Sequence, residues 1–149
     1  MDESKIVIAG GGMVAGYAAR QLIDLGSKSA ELAILSADTS LPYERPPLSK
    51  GFLAGRDAEE SIRINAESFY REHGIEVRLG CEISAVNSEQ KRLLLASGAQ
   101  FGSDKLIVAT GARPRGSTHG SPALAGRRQA QYQAPEIRGW FAVDRDARP

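Results

Sequence analysis

Apolar residues are not spread evenly along the chain; they fall into short runs at its start and near residue 108, with helical and alternating patterns between. Lys5-Ile6-Val7-Ile8-Ala9 is halted by Gly10-Gly11-Gly12, the pattern of a buried parallel strand entering a tight turn. From Met13 to Leu25 the apolar residues Val14, Tyr17, Ala18, Leu22 and Leu25 recur three and four positions apart, and Gly26 stands where a left-handed residue ends a helix. A helix of about three turns is predicted there. Glu31-Leu32-Ala33-Ile34-Leu35-Ser36 reads as a second strand. The opening is thus strand, glycine turn, helix, strand, a βαβ unit for which right-handed crossover is the default.

Leu41 to Gly55 contains Pro42, Pro46 and Pro47, which fix φ and remove donors, so a partly rigid loop with a short helical turn after Pro47 is expected. Asn65 is placed to cap a helix over Ala66 to His73, with Gly74 as its stop. Ile75–Leu79, Glu82–Val86 and Arg92–Ala96 alternate as strands. The polar Asn87-Ser88-Glu89-Gln90 between the last two predicts an antiparallel hairpin or meander. Lys105-Leu106-Ile107-Val108-Ala109 reads as a final buried strand.

Composition changes this picture in one place. Residues 1–112 carry 12 basic and 15 acidic groups, net −3, whereas residues 113–149 carry seven arginines, no lysine and three acids, net +4. In that last stretch Leu124, Ile137 and Val143 are the only large aliphatics, and no period of 2 or 3.6 runs through it. The ordered domain is expected to end near Pro114. The overall charge of +1 gives no electrostatic case for nucleic acid or an anionic membrane. A single cysteine, Cys81, and two histidines make a poor metal ligand set and cannot form an internal disulfide. The opening Met1-Asp2-Glu3-Ser4 is acidic where a secretory signal is basic, and a cytoplasmic protein is expected.

Gly10-x-Gly12-x-x-Ala15, followed by Gly16, has the form of a dinucleotide-binding fingerprint. Its glycines let backbone N–H groups approach a pyrophosphate, while small residues at 15 and 16 let the helix lie close to the strand. The helix then points its N-terminus, with about half a positive charge, at the phosphates. Asp38, just past the second strand, is positioned to accept hydrogen bonds from ribose hydroxyls; Glu31 starts that strand and points away from the site. His73 is expected to interact with the dipole of its helix, Cys81 to be a small buried residue, and His119 carries no assignment.

Three segments in order, Gly10 to Arg20, Pro42-Tyr43-Glu44-Arg45-Pro46-Pro47-Leu48-Ser49-Lys50, and Asp104 to Pro114, resemble the FAD-dependent pyridine-nucleotide oxidoreductases. The likeness is strongest to the branch of ferredoxin, rubredoxin and putidaredoxin reductases and monodehydroascorbate reductase, and runs from about Lys5 to Arg115. It implies an α/β fold: a Rossmann-like FAD-binding βαβ unit with an added antiparallel β-meander, incomplete relative to the family. It implies further that Gly10, Gly11, Gly12, Met13, Val14 and Ala15 hold the adenine dinucleotide half of FAD, with Asp38 on its ribose. Arg45 would approach the cofactor's phosphate or ribose. Lys50 would sit beside the isoalloxazine near its hydride-accepting edge, where a cation stabilises the anionic reduced flavin. The backbone around Ile83 would lie near the adenine, and Ala109-Thr110-Gly111 would close over the cofactor. The segment Pro42 to Lys50 lacks the cysteines that the thiol-disulfide and peroxide branches of the superfamily carry there. That points to a one-electron acceptor such as a small iron–sulfur protein or an organic radical.

Family members are longer, with a second fingerprint for NAD(P)H that this chain does not contain. The expected organisation is a partial FAD-binding domain over 1–115 and an irregular Arg/Gly/Pro-rich tail over 116–149, of a composition that an out-of-frame or truncated reading would give. The missing half-domain would then come from another chain. The function implied is the FAD-binding segment of an NAD(P)H-dependent reductase passing electrons to a one-electron acceptor. The alternatives are a non-catalytic nucleotide-binding module or inactive remnant, and, ranked last, a dehydrogenase holding NAD at the fingerprint.

Overall fold

The computed structural model describes residues 2–27 and 31–112, with side chains from residue 5 onward. The tail expected over 116–149, His119 included, lies outside the described residues. Six strands form one sheet in the order β3-β2-β1-β6-β5-β4: β1 (Asp2–Ala9), β2 (Leu32–Leu35), β3 (Glu76–Arg78), β4 (Ile83–Asn87), β5 (Arg92–Leu95) and β6 (Gln100–Val108). β1 pairs in parallel with both β2 and β6, and β3 adds in parallel to β2. β4, β5 and β6 form the antiparallel meander. The Rossmann-like βαβ unit with its meander is therefore present.

β2 is buried along its whole length and Val7, Ile8 and Ala9 are buried on β1, as strands covered on both faces must be. Their alternating side chains feed two cores. Val7, Ala9, Ala33 and Leu35 meet Ile83, Leu93, Leu95 and Phe101 of the meander on one face. Ile8, Leu32 and Ile34 meet Ala15 and Ala19 of helix α1 (Met13–Asp24), together with Tyr70 and Ile75, on the other.

The face α1 buries is centred on small residues: of the predicted apolar positions Ala18 and Leu22 pack against this core, whereas Val14, Tyr17 and Leu25 do not. Val14, Tyr17 and Leu25 are 61%, 50% and 75% exposed, while Ala15 and Ala19 are fully buried. Small side chains win this face because they let the helix axis come close to the sheet. Beyond α1, Gly26 takes φ +89° and donates to the Ile23 carbonyl, as its position predicts.

Between the parallel half and the meander lie a 3-10 turn over Pro46–Ser49, which includes both prolines rather than following Pro47, a four-residue helix α2 (Glu59–Ile62) and α3 (Glu67–Glu72). Asn65 does not cap α3: the N-cap is Ala66, with no side-chain bond. The Asn65 side chain is buried and donates instead to the Gly16 carbonyl on α1 at 2.8 Å. His73 is the C-cap of α3, its ring packed on Phe69. β6 begins five residues before the expected Lys105, because Phe101, Gly102 and Ser103 pair with the start of β1.

Candidate functional site

Gly10 follows β1 with φ +116°, donates to the Leu35 carbonyl and so ties the turn to the end of β2. A Cβ there would stand 2.2 Å from the Ala109 carbonyl oxygen, so only glycine lets the ends of β1 and β6 meet. At Gly11 a Cβ would stand 2.0 Å from Ser36 Oγ, and at Gly16 one would press on Pro42 and Ile64. Gly16 thus seats α1 against the proline segment rather than against a strand. Gly12 differs: its φ of −78° suits any residue, and the nearest atom to its absent Cβ is Arg45 Nη2 at 3.7 Å. Its bareness keeps open a gap between the turn and a guanidinium.

That gap belongs to a cleft of about 310 Å³ at the C-terminal ends of the parallel strands, the place where open α/β sheets bind ligands. Gly10, Gly11, Gly12, Met13 and Val14 form its floor. Ala37 and Asp38 come from the end of β2, Arg45 from the proline segment, and Ala109, Thr110 and Gly111 from the end of β6. Among the described residues the N–H groups of Gly11, Gly12 and Met13 have no protein acceptor, and they lie at the N-terminus of α1, where an anion is favoured. The Arg45 side chain, exposed and making no ion pair or hydrogen bond among the described residues, adds a full positive charge.

Asp38 is held by backbone contacts on three sides. Its N–H donates to Ser36 Oγ, its carbonyl accepts from Gly80 N–H, and its Oδ1 accepts from Ser40 N–H at 3.3 Å, an Asx-turn arrangement. Glu31, at the far end of β2, bonds Lys5 instead. Of the other expected site residues, Ala15 is buried beneath the helix. Ile83 packs in the core on the meander face. Lys50, directly after the 3-10 turn, is exposed and does not line the cleft. Ala37 and Ser36 went unnoticed in the sequence. The signal available was a small residue at the strand end, facing the glycine turn.

The donor set fits a dinucleotide phosphate: free N–H groups, a helix N-terminus, an arginine, and a gap between turn and guanidinium that a Cβ at Gly12 would enter, 3.7 Å from Arg45 Nη2. The volume, at the lower end of the about 300–1,000 Å³ usual for ligand sites, suits the adenosine diphosphate half rather than a whole dinucleotide. Cys81 lies apart, part-buried; burial pushes its thiol pKa up, opposed by the Arg78 charge, the reverse of what a thiolate nucleophile needs. Among the described residues no three His, Cys, Asp or Glu side chains group as a metal site. No helix among them is long and apolar enough to cross a membrane.

The parallel βαβ unit, the meander and this cleft define a Rossmann-like α/β protein. The sequence profile described as pyridine nucleotide-disulphide oxidoreductase matches residues 4–135, and the chain belongs to that family. It is 42% identical over 119 residues to the peroxisomal monodehydroascorbate reductase 1 of Oryza sativa subsp. japonica, covering 72% of this chain and 25% of that one. To the rubredoxin-NAD(+) reductase of Pseudomonas putida it is 37% identical over 121 residues, 81% of this chain and 31% of that one. Among solved structures, putidaredoxin reductase in its covalent complex with putidaredoxin superposes with a TM-score of 0.70 at 30% identity, over 78% of this chain and 27% of that one. The chain spans about a quarter to a third of the relatives it matches.

Proposed function

We propose that this chain is the FAD-binding part of an NAD(P)H-dependent reductase that delivers electrons to a one-electron acceptor. The observation that carries this is the convergence of the glycine turn, Arg45, Asp38 and the Ala109–Gly111 strand end on one cleft. The turn and Arg45 would hold the diphosphate, and Asp38 the adenosine ribose. FAD, when bound, supplies a two-electron acceptor for hydride that can release electrons singly. Lys50 stands outside the cleft, and its role at the flavin edge rests on the resemblance alone. The segment Pro42 to Lys50 contains no cysteine, which favours an iron–sulfur carrier or organic radical over a disulfide as acceptor. Relatives named for ascorbate radical reduction and for rubredoxin both match. The NAD(P)H site and the flavin-covering half of the domain would lie in the remainder of the enzyme or in a second chain, with residues 1–115 as the portion holding the cofactor, in the cytoplasm.

The size of the cleft, about 310 Å³, favours one other reading, a module that grips only the ADP half of a dinucleotide. The purified 149-residue chain separates the two when titrated with FAD and with ADP-ribose while its visible spectrum is recorded. FAD retention with flavin absorbance, weakened about tenfold by Asp38→Ala as loss of a hydrogen-bonded charge predicts, supports the first. Binding of ADP-ribose without FAD supports the module, and binding of neither overturns both.

A further inference from the structure

The proline segment reaches the cleft through a chain of contacts that begins on the cleft's own helix. Pro42 O accepts from Ile64 N–H at 3.0 Å and Glu44 N–H donates to Ile62 O at 2.7 Å, with Tyr43 bridged to Arg63. These bonds fix the backbone up to Glu44. The next residue, Arg45, opens the 3-10 turn, and its side chain has no partner of its own among the described residues. What sets the last step is the Glu44 carboxylate, which accepts a hydrogen bond from the Tyr17 hydroxyl. Tyr17 lies on α1, the helix whose N-cap is Gly12, so one rigid element carries both the phosphate turn and the tether of the arginine facing it.

Two features otherwise without a reason then find one. Tyr17 is a large aromatic left half-exposed, on the side of α1 away from Ala15 and Ala19. Glu44 places a negative charge next in sequence to the arginine meant for an anion. Tied to Tyr17, that carboxylate is kept from folding back onto Arg45, where it would neutralise the guanidinium.

We propose that Tyr17 and Glu44 are a positioning pair that holds Arg45 over the glycine turn and so sets the affinity of the cleft for a diphosphate. This rests on the dinucleotide reading of the cleft. Neither residue touches the ligand; both act through Arg45.

The test is a double-mutant cycle on the full chain, with ADP-ribose as the probe at fixed salt and urea unfolding run on every variant. Tyr17→Phe should weaken binding about three- to fivefold, the size of one net hydrogen bond, with stability little changed. Arg45→Ala should weaken it more, and adding Tyr17→Phe to Arg45→Ala should cost nothing further, because the tether then holds nothing. Glu44→Gln, whose amide oxygen still accepts from Tyr17, should keep near-wild-type affinity. Tyr17→Phe without effect, or with an effect that adds in full to that of Arg45→Ala, overturns the proposal and leaves the dinucleotide reading standing. So does a Glu44→Gln variant as weak as Tyr17→Phe. Failure of the wild-type chain to bind either ADP-ribose or FAD overturns both.

Discussion

Gly10 and Gly12 stand two positions apart in one turn yet exclude side chains for different reasons. Gly10 takes φ +116° with the Ala109 carbonyl 2.2 Å from where a Cβ would go, so its bareness belongs to the fold. Gly12 has an ordinary φ and open space toward Arg45, so its bareness belongs to the ligand. Gly10→Ala is expected to cost at least about 2 kcal/mol, from left-handed strain together with the clash. Gly12→Ala should stay within about 1 kcal/mol of wild type while losing most ADP-ribose binding. Urea unfolding and ligand titration of the two variants check this, and equal behaviour of the pair would remove the distinction. A fingerprint read as G-x-G-x-x-A marks all three positions alike, which is as far as spacing goes. Asp38 was likewise legible from its place after β2. Lys50 and Ile83 were placed by resemblance, and the described cleft does not reach either.

At the scale of elements, β1, α1, β2 and the β4–β5 hairpin followed from local pattern, because each is decided by its own periodicity and its own turn. The misreadings have long-range causes. Asn65 carries the type and position of a helix cap, but Arg20 Nε donates to its Oδ1 at 2.8 Å while its Nδ2 donates to the Gly16 carbonyl and to the Tyr70 hydroxyl. Residues far away in sequence claimed it, and no local rule sees them. The first half of β6 was hidden because Gly102 and Ser103 have no apolar side chain to report their burial; the pairing with β1 decides it. Val14, Tyr17 and Leu25 depart from the usual reading of apolar spacing for the same kind of reason, since the sheet demands close approach on the alanine face. Asn65 also joins α1 to α3 through buried polar groups, which are costly when left unpaired. Asn65→Ala should therefore destabilise the chain by about 2–3 kcal/mol, measured from the urea midpoint. A loss below about 0.5 kcal/mol would mean the network holds nothing together.

Over the whole molecule, the joint between the parallel half of the sheet and the meander runs past Cys81. Its N–H donates to the Ser36 carbonyl at the end of β2, and its side chain packs against the core of the meander face. As the chain's single cysteine, it reports on that joint without labelling. Partial burial raises its pKa, so the protonated thiol favours folding below the ordinary cysteine range and loses that advantage as pH rises through its higher folded value. Iodoacetamide at pH 8 should then alkylate Cys81 several-fold more slowly in the native chain than in urea. Equal rates would show the joint to be open.

β1 and β6 run side by side from end to end, and Ala109 N–H donates to the Ala9 carbonyl where they finish. The first strand of the chain thus pairs with the last described one, with both β2 and the meander lying between them in sequence, and contacts so distant in sequence slow folding. The nucleotide turn, written within the opening dozen residues, becomes a cleft only when that seam closes. The pocket's two walls, lettered at opposite ends of the described residues, depend on that one long-range pairing.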